Sequence, residues 1–176
     1  MTTPLPVFTY YPGKVHHFVP SSEACVCCGQ ARGYLYDGTL YTAQTLEGEI
    51  CPWCIADGSA AARYDGSFHD VYVMEEAGVK PEVLDEIACR TPGYPTWQDS
   101  HWLHHCGDAC AFHGDASAED ISQASAATKE HWAEYNGMSV EDWSWAAEGY
   151  APGGDTGFYK FVCRGCKQVL LAWDMS

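Results

Sequence analysis

The chain is poor in basic residues: nine Lys and Arg face 24 Asp and Glu across 176 residues, for a formal charge of −15. A surface of that sign repels a phosphate backbone, so nucleic acid is not an expected partner. Long apolar runs are also missing. Nothing approaches the roughly 20 consecutive apolar residues that a membrane-spanning helix needs. The stretch after Met1, TTPLPVFTYYPGKVHHF, is broken by prolines and offers no apolar core of a secretory signal. These absences lead to the expectation of a cytoplasmic protein with no membrane partner. Disorder is excluded by the 47% apolar content, seven Trp and eleven Tyr.

What is present in excess is cysteine, ten in all. In a reducing compartment, paired C-x-x-C spacings mean metal or redox chemistry more often than disulfides. Cys25-x-x-Cys28 and Cys51-x-x-Cys54 frame a segment rich in Tyr, Thr, Leu and Gly. Two such turns make a tetrahedral four-thiolate cage, the form of a structural zinc site. Cys27 sits inside the first turn as a bystander, although Cys27 and Cys28 could serve with Cys25 left out. Asp37-Gly38 reads as a two-residue hairpin between the turns. IADGSAAARY, after Cys54, reads as one or two helical turns.

A second set of candidates lies further on. Cys106-x-x-x-Cys110 has helical i, i+4 spacing, which would put both sulfurs on one face, although Gly107-Asp108 would also allow a turn. Cys163-x-x-Cys166 lies between two strands, with Arg164-Gly165 offering a glycine for a positive φ. A second zinc held by Cys106, Cys110, Cys163 and Cys166 is expected, with His104 or His105 in place of one cysteine as the alternative. Cys89 reads as a core thiol.

Between these halves the charge is concentrated. Residues 65–155 carry 18 acids against three bases, and the remaining segments balance. Leu5 to Tyr11 reads as an edge strand. FHDVYVMEEAG is ambiguous between strand and loop, and PEVLDEIACR reads as a helix opened by Pro81. SAEDISQASAATKEHWAEYNG reads as one helix, with Ser117 and Asp120 in capping-box spacing and Asn136-Gly137 at its end; Ser139 and Asp142 repeat the cap. The acidic face formed by Glu119, Asp120, Glu130, Glu134, Glu141 and Asp142 around Trp143 and Trp145 has the composition of an interface for a basic protein. A solvated helical face with core tryptophans would look similar.

The expected architecture is α+β: a small zinc-stabilised domain with a treble-clef or ribbon-like four-cysteine finger, antiparallel hairpins and an acidic helical insert. It divides into a finger (1–64), an acidic middle (65–155) and a knuckle hairpin (156–176) within one domain.

The motifs CVCCGQARGYLYDGTLY, CPWCIADGSAA, RTPGYPTWQ, HHCGDACAFHG and FVCRGC resemble the CbrC family of bacterial colicin tolerance proteins over nearly the whole chain. The resemblance implies tolerance to a nuclease-type colicin and relatives that look like immunity proteins, with no catalytic residue. The function expected on both grounds is a zinc-binding, non-enzymatic protein that neutralises a basic protein toxin, plausibly a nuclease, through its acidic surface. The alternative is a zinc- or thiol-dependent enzyme, a hydrolase or an oxidoreductase using Cys51-Pro52-Trp53-Cys54. Four-cysteine sites are closed, and no βαβ pattern surrounds the C-x-x-C pair, which weighs against it.

Overall fold

In the computed structural model, which describes residues 3–98 and 100–175, the centre is a three-stranded antiparallel sheet. Strands β5 (Ala111–Asp115), β6 (Thr156–Val162) and β7 (Val169–Met175) run in that order, following the shorter strands β1 to β4 given below. Side chains alternate along a strand, and here both faces are apolar. Tyr159, Phe161, Leu170 and Ala172 enter one core cluster. Phe158 and Leu171 enter another, with Val169 and Trp173 packed against it. The sheet is therefore a shared wall between two layers. Lys160, on the helical side, meets Asp120 at 2.5 Å.

The helical layer contains α5 (Ala118–Ser122), α6 (Ala126–Asn136), a 3₁₀ turn (Val140–Asp142) and α7 (Trp143–Ala146). Both expected capping boxes form: Ser117 with Asp120, and Ser139 with Asp142. Gly137 takes the left-handed C-cap with φ 63. The single helix expected from Ser117 to Gly137 is two. Ser125 starts the second by accepting the Thr128 N–H at 3.1 Å, and that local bond competes with continuation of the first.

The opposite layer holds β1 (Phe18–Pro20) and β2 (Tyr34–Tyr36), then α1 (Pro52–Ala56), α2 (Ser59–Tyr64), α3 (Tyr72–Glu76) and α4 (Pro81–Arg90). The two-residue strands β3 (His104–His105) and β4 (Asp108–Ala109) follow. Three sequence expectations change here. Leu5 to Tyr11 is not a strand: it drapes over the sheet, giving Phe8, Tyr10 and Tyr11 to the core, with Tyr10 O accepting the Phe112 N–H at 2.7 Å. Asp37-Gly38 does not turn a hairpin. Strand β2 pairs backwards with β1, and the Asp37 N–H goes to His17 O at 3.0 Å. Residues 72–76 of the ambiguous stretch are helical, begun where Asp70 accepts the Tyr72 N–H at 2.8 Å.

Candidate metal centres

The first cluster joins a tight turn to a helix start. Residues 25–30 close the end of the β1–β2 hairpin: the Gly29 N–H reaches Cys25 O at 2.7 Å, and the Cys25 N–H reaches Gln30 O at 3.1 Å. Gly29 has φ 71, a conformation that costs glycine nothing. Across from this turn, Cys51 is the N-cap of α1, Pro52 fills the first helical position, and Cys54 stands in the first turn. The sulfurs of Cys25 and Cys54 are 3.9 Å apart, those of Cys28 and Cys51 3.8 Å, and those of Cys51 and Cys54 3.6 Å. A tetrahedron with metal–sulfur bonds of about 2.3 Å has edges of about 3.8 Å, so the cage has the size of a four-thiolate site. Cys27 stands outside it, with its sulfur toward Ser59.

The amides of Cys27 and Cys51 point at the Cys25 sulfur, at 3.3 and 3.1 Å. Burial resists ionisation of this thiol, but amide donation from Cys28, Cys51 and Cys27 outweighs it and draws its pKa down. Burial and the Cys25 charge push Cys51 up to about 11. Cys54 is raised as well, by burial first and then by its sulfur neighbours. One thiolate in this cage makes the next one costly unless a cation balances them.

The second cluster consists of His105, Cys106, Cys163 and Cys166, whose ligand atoms lie within 4.8 Å of one another. His105 Nδ1 is 3.2 Å from the Cys106 sulfur and 3.3 Å from that of Cys166. This is close to the roughly 3.6 Å expected between nitrogen and sulfur on one tetrahedral metal. His105 thus stands where Cys110 was expected, which corrects the all-cysteine reading. The reason is backbone geometry. Residues 106–110 are not helical: Cys106 and Gly107, with φ 54 and 71, form the two-residue loop between β3 and β4. Positive φ at both positions marks a type I′ hairpin. The loop presents His105 and Cys106 together, while Cys110 is wholly buried and its N–H bonds to Leu103 O at 2.9 Å.

The other half of this cluster repeats the first turn. The Lys167 N–H meets Cys163 O at 3.0 Å, and the Cys163 N–H meets Gln168 O at 2.8 Å. Cys25-x-x-Cys28-Gly29-Gln30 and Cys163-x-x-Cys166-Lys167-Gln168 are therefore one knuckle used twice, each at the tip of a hairpin. The positive φ falls on Lys167, at 66, and not on Gly165 as its sequence suggested. Burial opposes charge on Cys163, yet amides of Cys166 and Gly165 together with His105 bring its pKa down to about 6. Cys106 is held up at about 11, foremost by its contact with Cys166. The His104 ring is not in the cluster; burial, then His105, lowers its pKa.

A polar shell fixes the second centre. Arg164 Nη1 donates to Asp108 Oδ2 and to the Tyr10 hydroxyl, both at 3.0 Å, and Tyr10 donates to Asp108 Oδ1 at 2.7 Å. Burial and then Asp108 push the Tyr10 hydroxyl up to about 12. The same N-terminal segment touches the first centre, where Trp53, between two ligands, donates to Pro4 O at 3.2 Å. Residues 4–10 therefore strap the two centres together.

The acidic face is less uniform than its sequence. Asp120 is committed to Ser117 and Lys160, and Asp142 to Ser139. Trp143 is 5% exposed and packs edge-on against Trp132 at 5.3 Å, so it is core and not a partner anchor. Trp145 is 56% exposed. Glu119, Glu130, Glu134 and Glu141 are exposed, with Glu119 accepting from Gln123.

The profile of a family described as an uncharacterised protein family (UPF0167) matches residues 5–175. A UPF0167 protein of Pseudomonas aeruginosa is 44% identical over 180 aligned residues, covering 100% of both chains. UPF0167 proteins of Mycobacterium bovis and Mycobacterium tuberculosis are each 43% identical over 141 residues, 79% of this chain and 74% of theirs. No solved structure matches. The resemblance to the CbrC family is corrected by these findings: the profile and the relatives name UPF0167, and none names a colicin tolerance protein.

Proposed function

The chain belongs to the UPF0167 family, and we propose that it is a zinc-stapled, non-catalytic binding protein whose acidic surface takes a cationic protein partner. The observation that carries the reading is the pair of complete four-ligand sets at tetrahedral spacing. A structural zinc has four protein ligands and no position left for substrate, which is the chemistry such sets supply. The first centre, a knuckle facing a helix start, is assigned to the treble-clef type. The zinc-hydrolase alternative lacks support because neither set leaves a coordination place open.

With zinc bound, the four-thiolate centre adds two negative charges and the three-thiolate centre adds one, so the formal −15 becomes about −18. Such a field accelerates encounter with cationic proteins. Neutralisation of a nuclease-type toxin remains within the proposal on this charge alone. A reducing, cytoplasmic setting belongs to the same reading, since both clusters need their cysteines reduced to hold a metal. No helix among the described residues is long and apolar enough to cross a membrane.

The test uses the full zinc-loaded chain, a panel of folded cationic nuclease domains, and lysozyme as a cationic control. Saturable binding to a nuclease domain is expected, with association slowing about tenfold between low and physiological salt. Joint reversal of Glu130, Glu134 and Glu141 to Lys should slow it further at unchanged zinc content. Binding to none of the panel, or binding no better than to lysozyme, refutes the proposal.

A further inference from the structure

Two motifs remain unused by either metal centre: RGYLYDG and RTPGYPTWQ. They meet at a cavity of about 630 Å³, walled by Tyr36, Asp37 and Gly38 from the first and by Gly93, Tyr94, Trp97 and Gln98 from the second. That volume falls in the range of small-molecule sites.

The walls are built to stay in place. Trp97 is 57% exposed, yet its backbone is clamped: the N–H groups of Trp97 and Gln98 both donate to Asp174 Oδ2, at 2.9 and 3.3 Å. The other oxygen of Asp174 accepts the Tyr159 hydroxyl at 3.0 Å. A Cβ on Gly157 would come within 2.4 Å of that carboxylate, so glycine there makes room for the clamp. At the floor, Cβ atoms on Gly38 and Gly93 would come to 2.4 and 2.8 Å from Tyr36. The Gly93 N–H donates to the Tyr36 hydroxyl at 3.0 Å, fixing the ring. An exposed indole held by its own backbone against an open space is a preorganised stacking platform.

Charge defines the ligand class. Among the described residues the cavity has no lysine or arginine, and Asp37 is its one carboxylate. The Asp37 side chain is 44% exposed, and its Oδ1 accepts from His17 Nδ1 at 2.8 Å. His17 also lines the cavity, but its ring is held against Asp37, so an anion such as a phosphate finds no unpaired countercharge here. A flat cation would find indole and phenol faces, a carboxylate and the Gln98 amide. We propose that this cavity binds a small planar cation of the amidinium, guanidinium or protonated heteroaromatic class. The site is separate from the metal centres and does not depend on the protein partner proposed above.

Benzamidine, benzamide and benzoate share a shape and differ in charge, so they serve as probes. The full zinc-loaded chain would be titrated with each while the indole N–H resonances are followed, the Trp97 signal being identified by its absence in Trp97→Ala. Benzamidine should shift that signal saturably and bind at least about tenfold tighter than benzoate. Asp37→Asn should weaken benzamidine about tenfold and leave benzamide within about twofold. Absence of a saturable shift up to about 20 mM benzamidine, equal binding of benzoate, or shifts at Trp145 in place of Trp97 would each overturn the proposal. If Asp37→Asn fails to fold, the charge series on the native chain still decides.

Discussion

Replacing His105 by Ala distinguishes the observed second centre from the all-cysteine one. The centre ties Cys106 to Cys163, 57 positions apart in the chain. By the loop-entropy relation used for disulfides, a cross-link over that span restricts the unfolded chain by about 4 kcal/mol at most. Mass action gives a similar figure, because free metal at a thousand times its dissociation constant stabilises the folded state by about 4 kcal/mol. For a domain of this size, that is a fall of roughly 10 °C in melting temperature. His105→Ala should therefore retain one zinc per chain by mass spectrometry under native conditions and melt roughly 10 °C lower. Cys110→Ala should retain two. Its cost is that of emptying one small buried site, about 1 kcal/mol, since Cys110 is in the core and outside the cluster. The reasoning fails if Cys110→Ala loses a zinc while His105→Ala keeps both.

The helical layer and the buried histidine give two further tests. Trp143→Ala should destabilise by about 3–5 kcal/mol through loss of its contacts with Trp132 and Phe158, whereas Trp145→Ala should stay within about 0.5 kcal/mol of the parent; equal urea midpoints for the two would contradict their assigned places. Burial holds His69 near a pKa of about 4, against 6.5 for the free side chain, despite its hydrogen bonds to the backbone. Its folded pKa lies below its unfolded one, so its contribution is fully present above about pH 6.5 and is lost as pH falls toward 4, by about 2–3 kcal/mol at pH 4.5. Acid release of metal occurs with or without this ring, so the comparison is made against His69→Phe. That variant should be less stable at neutral pH but lose less between pH 7 and 4.5, and parallel losses would remove His69 from the account.

How much of this the sequence carried depends on whether a signal was local. The capping boxes at Ser117 and Ser139 and the C-cap at Gly137 require only residues within one turn, and each forms. The first cage was similarly readable, because each C-x-x-C pair closes its own turn. The second cage was not, because C-x-x-x-C suits a helix face and a type I′ loop alike, and the choice lies in φ at Cys106, which no spacing displays. Asp37-Gly38 misled for a related reason: the hairpin that forms is closed by the metal-binding turn, where the Ser21 N–H already meets Gly33 O at 3.1 Å, leaving β2 committed to β1. The repeated knuckle was hidden because one copy uses Gly29 and the other Lys167 in the same left-handed position.

The acidic face teaches the opposite lesson, since part of its correction was already in the sequence. In the sequence, Asp120 and Asp142 read both as capping residues and as partner contacts. Asp120 accepts from Ser117 on Oδ2 and from Lys160 on Oδ1, an ion pair that offsets its charge within the fold, while Asp142 keeps its charge and is held in place by Ser139. The Asp120–Lys160 pair therefore pulls weakly on a distant cation, and the Asp142 oxygen that accepts from Ser139 is occupied by its cap. The pKa values of both are drawn down, that of Asp120 against the effect of burial and through Lys160 and Ser117, and that of Asp142 through Ser139. The exposed carboxylates that a partner can engage without breaking a cap are Glu130, Glu134 and Glu141. If association with a cationic protein were abolished by neutralising Asp120 and Asp142 alone, with helix content unchanged, this division between structural and steering carboxylates would be wrong.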